Sequence, residues 1–302
     1  MFKSTLSLVK LTPLLIFLAG LIFIGVYMIR NLPTATMALF TRVESPREYS
    51  FKSYDKLLKE FVKEGLVDYG ALKKSDLLDK SLKELASTSP TNLNTESQAC
   101  YWLNAHNLLT IKIITDRYPI KTLQDIGLDR ASRRFVVGGE TLSIQKLYGN
   151  KLMPVLMNRA IPTEAVFLIC GGSLAYPPLT EHAILPANLE NDAKVAAYRY
   201  LTNEKNVYFN RATGAFLISN LMKRYSRKFA QIDQDPFSMC TLYLTKEQCP
   251  DLTDIMLTKT YFSKIDHRVN SLEYLEGSKP KTPDHETDKK EAPAKNNSKT
   301  GS

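Results

Sequence analysis

Histidine and cysteine are scarce in this chain, with four of each among 302 residues. Cys100, Cys170, Cys240 and Cys249 are far apart or isolated, and no Cys-x-x-Cys pair or matching His spacing accompanies them, which excludes the usual zinc patterns. The tail from about Ser278 has no large apolar residue, so it cannot bury enough surface to offset its ordering entropy and is expected to be disordered. His285 lies in that tail and His267 close to it, which makes both poor metal ligands. No metal site and no cofactor is therefore expected. Internal repeats are also missing, and no nucleic-acid-binding motif accompanies the net charge of +9.

One long apolar run is present. Leu11 to Ile29 carries no charge, with Lys3 and Lys10 before it and Arg30 directly after. At 1.5 Å per residue it spans about 28 Å, close to the ~30 Å hydrocarbon core of a bilayer. A secretory signal has a shorter apolar region, so the length favours an uncleaved anchor over a signal cut near Thr36-Met-Ala38. Gly20 and Gly25 are five apart, so the small-xxx-small dimer motif is absent. A thin positive-inside bias places the N-terminus in the cytoplasm and the body outside it, in a periplasmic or extracytoplasmic space. The expected division is 1–30 anchor or uncleaved signal, 31–49 linker, 50–275 body and 276–302 tail.

The body is large enough for one well-buried core. Phe51, Tyr54, Leu57, Leu58, Phe61 and Val62 recur at helical spacing, with Gly65 as the stop. A Leu-rich helix follows near Leu77 to Leu85. Thr95-x-x-Gln98 reads as a capping box opening a helix that runs to Tyr118, where Pro119 ends it. Phe135–Leu142 reads as a hairpin, and a helix capped by Ser143 continues to about Asn158. Leu189 to Tyr200 is another amphipathic helix. Val207–Ile218 is a second hairpin, and Ser219 caps a final basic helix to Phe229. The fold class expected is α+β, a single mostly helical domain with a small sheet behind one N-terminal transmembrane helix.

The chemistry gathers around Ala165-Val-Phe-Leu-Ile-Cys170-Gly171-Gly172-Ser173, followed by Pro177-Pro-Leu179. The apolar run reads as a buried strand ending in a thiol and a Gly-rich turn, where backbone N–H groups approach a ligand closely. A buried structural thiol at a core strand end is the plainer reading. In the helix from Thr95, a 100° repeat puts Cys100, Asn104, Asn107, Ile111 and Ile114 on one face. Asn104 and Asn107 must then be hydrogen-bonded, fixing a neighbouring loop or lining a polar pocket. His106 falls on a different face, as a partly exposed ring packed on Trp102. Cys240 and Cys249 sit in a Pro-flanked segment where an oxidising compartment would permit a disulfide.

Five stretches together resemble the family called domain of unknown function 547. They are Gly65–Tyr69, Ser97–Asn107 running to Pro119, Leu142–Leu147, Leu168–Ser173 with Pro177–Leu179, and Leu217–Ser219 through Tyr225 to Phe229. Family members usually carry a Glu-His pair where this chain has Tyr148-Gly149, a His where it has Ala165, and a second Cys where it has Tyr176. The polar set kept is Asn104, Asn107, Cys170 and Ser173. Thiol catalysis needs a base within hydrogen-bond reach, and only His106 and His182 remain in this region.

The anchor and the missing Glu-His and His positions together point to a membrane-anchored envelope module with the family fold and a degraded or absent catalytic site, acting as a binding or structural module. The competing reading is a Cys170-dependent hydrolase or transferase, papain- or transglutaminase-like, with His182 or His106 as base. Candidate pocket-lining residues are Asn104, Asn107, Gly171, Gly172 and Ser173. The expected partners are the bilayer, through residues 11–29, and anionic lipid head groups or envelope polymer. The latter would meet the patches Arg130/Arg133/Arg134 and Lys223/Arg224/Arg227/Lys228, which otherwise read as solvated faces. Nucleic acid is not expected.

Overall fold

Thr95–Arg117 is a single helix, about 34 Å long at 1.5 Å per residue, around which the rest of the body packs. From Ala99 to Thr115 every side chain except Lys112 is buried. That explains a sequence with no polar stripe: a helix covered on all sides has no solvent face to pattern. Asn94 is its N-cap, accepting from Ser97 N–H at 2.8 Å, while Gln98 reaches back to the Leu93 carbonyl. The expected Thr95 capping box is thus displaced by one residue, because Asn competes as well as Thr for the cap. At the far end Tyr118 turns extended ahead of Pro119.

The computed structural model describes residues 16–26, 28, 44, 48–245, 248 and 260–273, and those up to Leu272 belong to one compact unit. Helix Lys52–Phe61 buries Tyr54, Leu57, Leu58 and Phe61 and packs on helix Leu77–Ser87. Between them a two-residue turn, Glu64-Gly65, joins Val62–Lys63 to Leu66–Val67 as an antiparallel hairpin. Both turn residues have positive φ, as the primed hairpin turns require. A short helix, Tyr69–Leu72, follows the hairpin, with the Asp68 carboxylate accepting from Ala71 N–H as its cap.

The second hairpin pairs Phe135–Val137 with Glu140–Leu142, and Ser143 caps the following helix by accepting from Lys146 N–H. That helix runs Ile144–Leu147, widens into a π-turn at Tyr148–Leu152 and resumes at Met153–Leu156. Leu189–Leu201 is helical as expected. Val207–Asn210 and Ala215–Ser219 form the third hairpin, and Thr260–Ser263 adds to it in parallel. Ser219 accepts from Leu221 N–H at the start of helix Leu221–Phe229. A further short helix, Pro236–Thr241, follows. The α+β class therefore holds.

The apolar run ahead of Cys170 is not a strand. Thr163–Leu168 is a buried 3-10 segment, packed mainly on helix Leu189–Leu201. Periodicity cannot separate a short all-apolar strand from a buried helical turn, and here the turn wins. Cys240 is a free buried thiol whose Sγ donates to the Pro236 carbonyl, while Cys249 lies outside the described residues.

Most of the run Leu11–Ile29 is helical over 16–26 with exposed apolar side chains, and its remaining residues, apart from Met28, lie outside the described set. Among the described residues no helix is long and apolar enough to cross a membrane. The tail 276–302 and most of the linker 31–49 also lie outside.

Candidate functional site

Two amides from one face of the central helix hold two loops. Asn107 donates to the Leu168 carbonyl at 2.9 Å and accepts from Cys170 N–H at 2.9 Å. Asn104 treats Ile184 the same way, donating to its carbonyl at 2.7 Å and accepting from its N–H at 3.0 Å. Each amide therefore pairs one buried carbonyl and one buried N–H, on Leu168 and Cys170 for Asn107 and both on Ile184 for Asn104, groups that would be costly to strand. Of the two roles open to these amides, loop fixing is the one the geometry displays.

The turn after Cys170 is braced from four directions. Arg130 donates to the Gly171 carbonyl at 2.9 Å, and the Tyr176 ring lies flat against Gly171. Gly172 has φ +82° and abuts Thr110 and Ile114 of the central helix. The segment Asp266–Leu272 then laces the turn to the rest of the body: Asn270 N–H donates to Gly172 O, Leu174 N–H to Arg268 O, and Val67 N–H to Asn270 O. Asn270, Tyr69 and Arg130 are the site residues that the sequence did not single out for chemistry. Tyr69 does sit within the Gly65–Tyr69 stretch, but Asn270 lies in a segment with no periodic signal.

Cys170 is 2% exposed. Its Sγ accepts a long contact from Asn270 Nδ2 at 3.6 Å, and Tyr69 donates to Asn270 Oδ1 at 2.7 Å. Burial pushes its thiol up to about 11, and the Gly172 N–H and Arg130 only partly offset that. A catalytic thiolate needs the opposite shift.

Neither histidine is hydrogen-bonded to this sulfur. His106 is buried, contrary to the expectation of a partly exposed ring, because the central helix has no exposed face there. It packs on Tyr148, with ring centroids 5.8 Å apart, rather than on Trp102. Its Nδ1 lies 3.4 Å from Asn107 Oδ1. Burial pulls its pKa down to about 4 against the opposing hydrogen bond to Asn107, with Arg130 and Arg224 adding to the drop, so the ring is neutral at pH 7. His182 instead pairs its Nε2 with Asp192 Oδ2 at 2.9 Å.

The two tyrosines at departures from the family pattern, Tyr148 and Tyr176, both come within electrostatic reach of Arg224. Arg224 donates to Tyr176 Oη at 2.9 Å. Parts of the two basic patches are thus spent inside the fold and are not solvated faces. Arg130 braces Gly171, Arg133 pairs with Asp116, and the ammonium of Lys228, itself 1% exposed, holds the Asn158 and Ile161 carbonyls. The charge count hid this, because Lys and Arg are also the longest donors available for capping carbonyls.

Among the described residues no group of three or more His, Cys, Asp or Glu side chains is placed to hold a metal ion. Residues 90–201 match the model of a family described as "Protein of unknown function, DUF547". The match covers the central helix, the Cys170 turn and helix Leu189–Leu201, but not Asn270. No curated protein and no solved structure matches the chain.

Proposed function

For a chain that belongs to the DUF547 family through residues 90–201, we propose a role as a membrane-anchored envelope module that acts by binding and not by thiol chemistry. The observation that carries this reading is the state of Cys170. Its thiol is buried and faces an amide, and that burial pushes it up to about 11. At pH 7 only about one thiol in ten thousand would be ionised. Neither histidine hydrogen-bonds to it, and His182 is already engaged with Asp192.

The competing thiol reading draws on one contact. Asn107 lies between His106 and the Cys170 backbone, so a single amide touches both residues. That arrangement orients a ring but does not ionise the sulfur, and a ring with a pKa near 4 is a weak base. Cys170→Ala should therefore complement the phenotype of a strain deleted for the chain, with unchanged abundance. Loss of complementation at normal abundance would establish the thiol as catalytic.

The anchor rests on the uncharged run Leu11–Ile29 and its exposed apolar side chains, such as Ile16, Phe17 and Phe23. The full chain should remain in the membrane pellet after alkaline carbonate extraction, and deletion of residues 1–30 should release a soluble, folded body. A soluble full-length product cut near residue 38 would replace the anchor with a cleaved signal.

A further inference from the structure

Two guanidiniums stand beside the Cys170 turn, and among the described residues neither meets a carboxylate. Arg130, half-buried, gives an N–H to the Gly171 carbonyl at 2.9 Å. Arg224, exposed, gives one to Tyr176 Oη at 2.9 Å. Gly171 and Tyr176 are packed on each other, so the two cations hold the two halves of one contact. Both also lie within electrostatic reach of the buried His106.

The neighbourhood supplies no compensating charge. The groups that act on Cys170, His106, Tyr148 and Arg224 are the two arginines, tyrosine hydroxyls and hydrogen-bonding amides, with no carboxylate among them. Nearby cations are placed differently: Arg117 meets Asp129, and Arg133 meets Asp116. A neutral donor would serve the Gly171 carbonyl and the Tyr176 hydroxyl as well as a guanidinium does. The bonds within the fold therefore account for the donors at these two positions but not for their charge, and like charges held close together favour an incoming anion.

We propose that Arg130 and Arg224 bind a phosphate group at this turn, with the Tyr148 and Tyr176 hydroxyls beside them. The proposal rests on the binding-module reading and names the ligand class. Charge selects an anion, and the number of forks selects phosphate. One guanidinium satisfies both oxygens of a carboxylate, whereas a tetrahedral phosphate has further oxygens for a second. The two arginines come from separate elements, Asp129–Ser132 and Leu221–Phe229, and so approach as independent forks. The hydroxyls add donors. Tyr176 Oη accepts from Arg224, which leaves its own O–H to give, and Tyr148 makes no hydrogen bond to a described residue while its ring is held against His106. A lipid headgroup and a soluble phosphate ester present the same group to this site.

The test is calorimetric titration of the full-length chain in dodecyl maltoside micelles with glycerol 3-phosphate, and with malonate as a dicarboxylate control. Glycerol 3-phosphate should bind about tenfold or more tightly than malonate. Arg224→Gln, at an exposed position, should weaken phosphate binding about tenfold or more with the melting temperature unchanged. Arg130→Gln should weaken it similarly; if that variant loosens the turn, Arg224→Gln decides alone. Arg227→Gln, exposed on the same helix but outside the site, should leave binding within about twofold. Absence of phosphate binding, equal binding of malonate, or equal losses from Arg227→Gln and Arg224→Gln would overturn the proposal, the last by reducing it to diffuse attraction. Phosphatidic acid added to the micelles separates the sources: displacement of glycerol 3-phosphate supports the site with a lipid headgroup as its ligand, and no displacement supports it with a soluble ester. Cys170→Ala separates this claim from the reading beneath it. Failed complementation by that variant would sink the binding-module reading even if phosphate binds, whereas an inert thiol with no phosphate bound would sink only the phosphate site.

Discussion

Gly172→Ala should lower the melting temperature by on the order of 5–15 °C, a loss of roughly 2–4 kcal/mol in a body of this size. Two effects add. Gly172 has φ +82°, where an L side chain carries about 1–2 kcal/mol of strain. A Cβ there would also meet Ile114 Cδ1 at 2.5 Å and Thr110 Cγ2 at 2.8 Å. Both belong to the buried central helix, so neither can swing into solvent, and overpacking of this kind costs about 1–3 kcal/mol. Gly149→Ala is the control. Nothing lies within 4 Å of its Cβ position, and its φ is not positive, so the change should be neutral within about 0.5 kcal/mol. Thermal unfolding of the two variants side by side gives the answer. Equal shifts would mean that the turn does not press on the helix.

Asn107→Ala should be similarly damaging, for a different reason. It strands the Cys170 N–H and the Leu168 carbonyl, both buried, at about 1–3 kcal/mol for each group that finds no water. Asn104→Ala strands both backbone groups of Ile184 and should fall in the same range. Lys112→Ala removes partly exposed pairings with Asp116 and, at 3.8 Å, Asp79, and should cost less than about 1 kcal/mol. Urea unfolding should show midpoints ordered Lys112→Ala above both asparagine variants, with unchanged slopes. If the three coincide, the amides are not holding the loops.

Those two asparagines were legible in the sequence because a 100° repeat placed them among apolar neighbours, and a buried amide must find partners. Helices with an apolar stripe, such as Lys52–Phe61, and the two hairpins around Gly138-Gly139 and Gly214 were legible for equally direct reasons. The central helix was placed well at its ends but not around its circumference. A helix buried on every side has no periodic contrast, so the sequence alone suggests an exposure for His106 that the fold does not give it. The Cys170 approach failed as a strand because an all-apolar run of six residues has no period to read.

The other half of the site was invisible for a topological reason. Asn270 and Arg268 reach the Cys170 turn across about a hundred residues, through backbone hydrogen bonds that leave no trace in local composition. Ser173 was visible as a hydroxyl after two glycines, but its lack of any partner is a property of packing alone.

The central claim, that Cys170 is not a catalytic nucleophile, is tested most directly by its titration in the native chain. Iodoacetamide labelling of Cys170, quantified by peptide mass spectrometry from pH 5 to pH 11, should be negligible at pH 6–8 and rise only as the pH nears 11. The same shift makes an alkaline prediction. A thiol whose folded pKa lies above its unfolded value of about 8.5 contributes stability that is complete below pH 8.5 and is lost as pH rises through 11. Late labelling that coincides with alkaline loosening of the fold is the predicted result. Rapid, selective labelling of Cys170 near pH 6 in the folded protein would contradict it and restore the thiol as the centre of the chemistry.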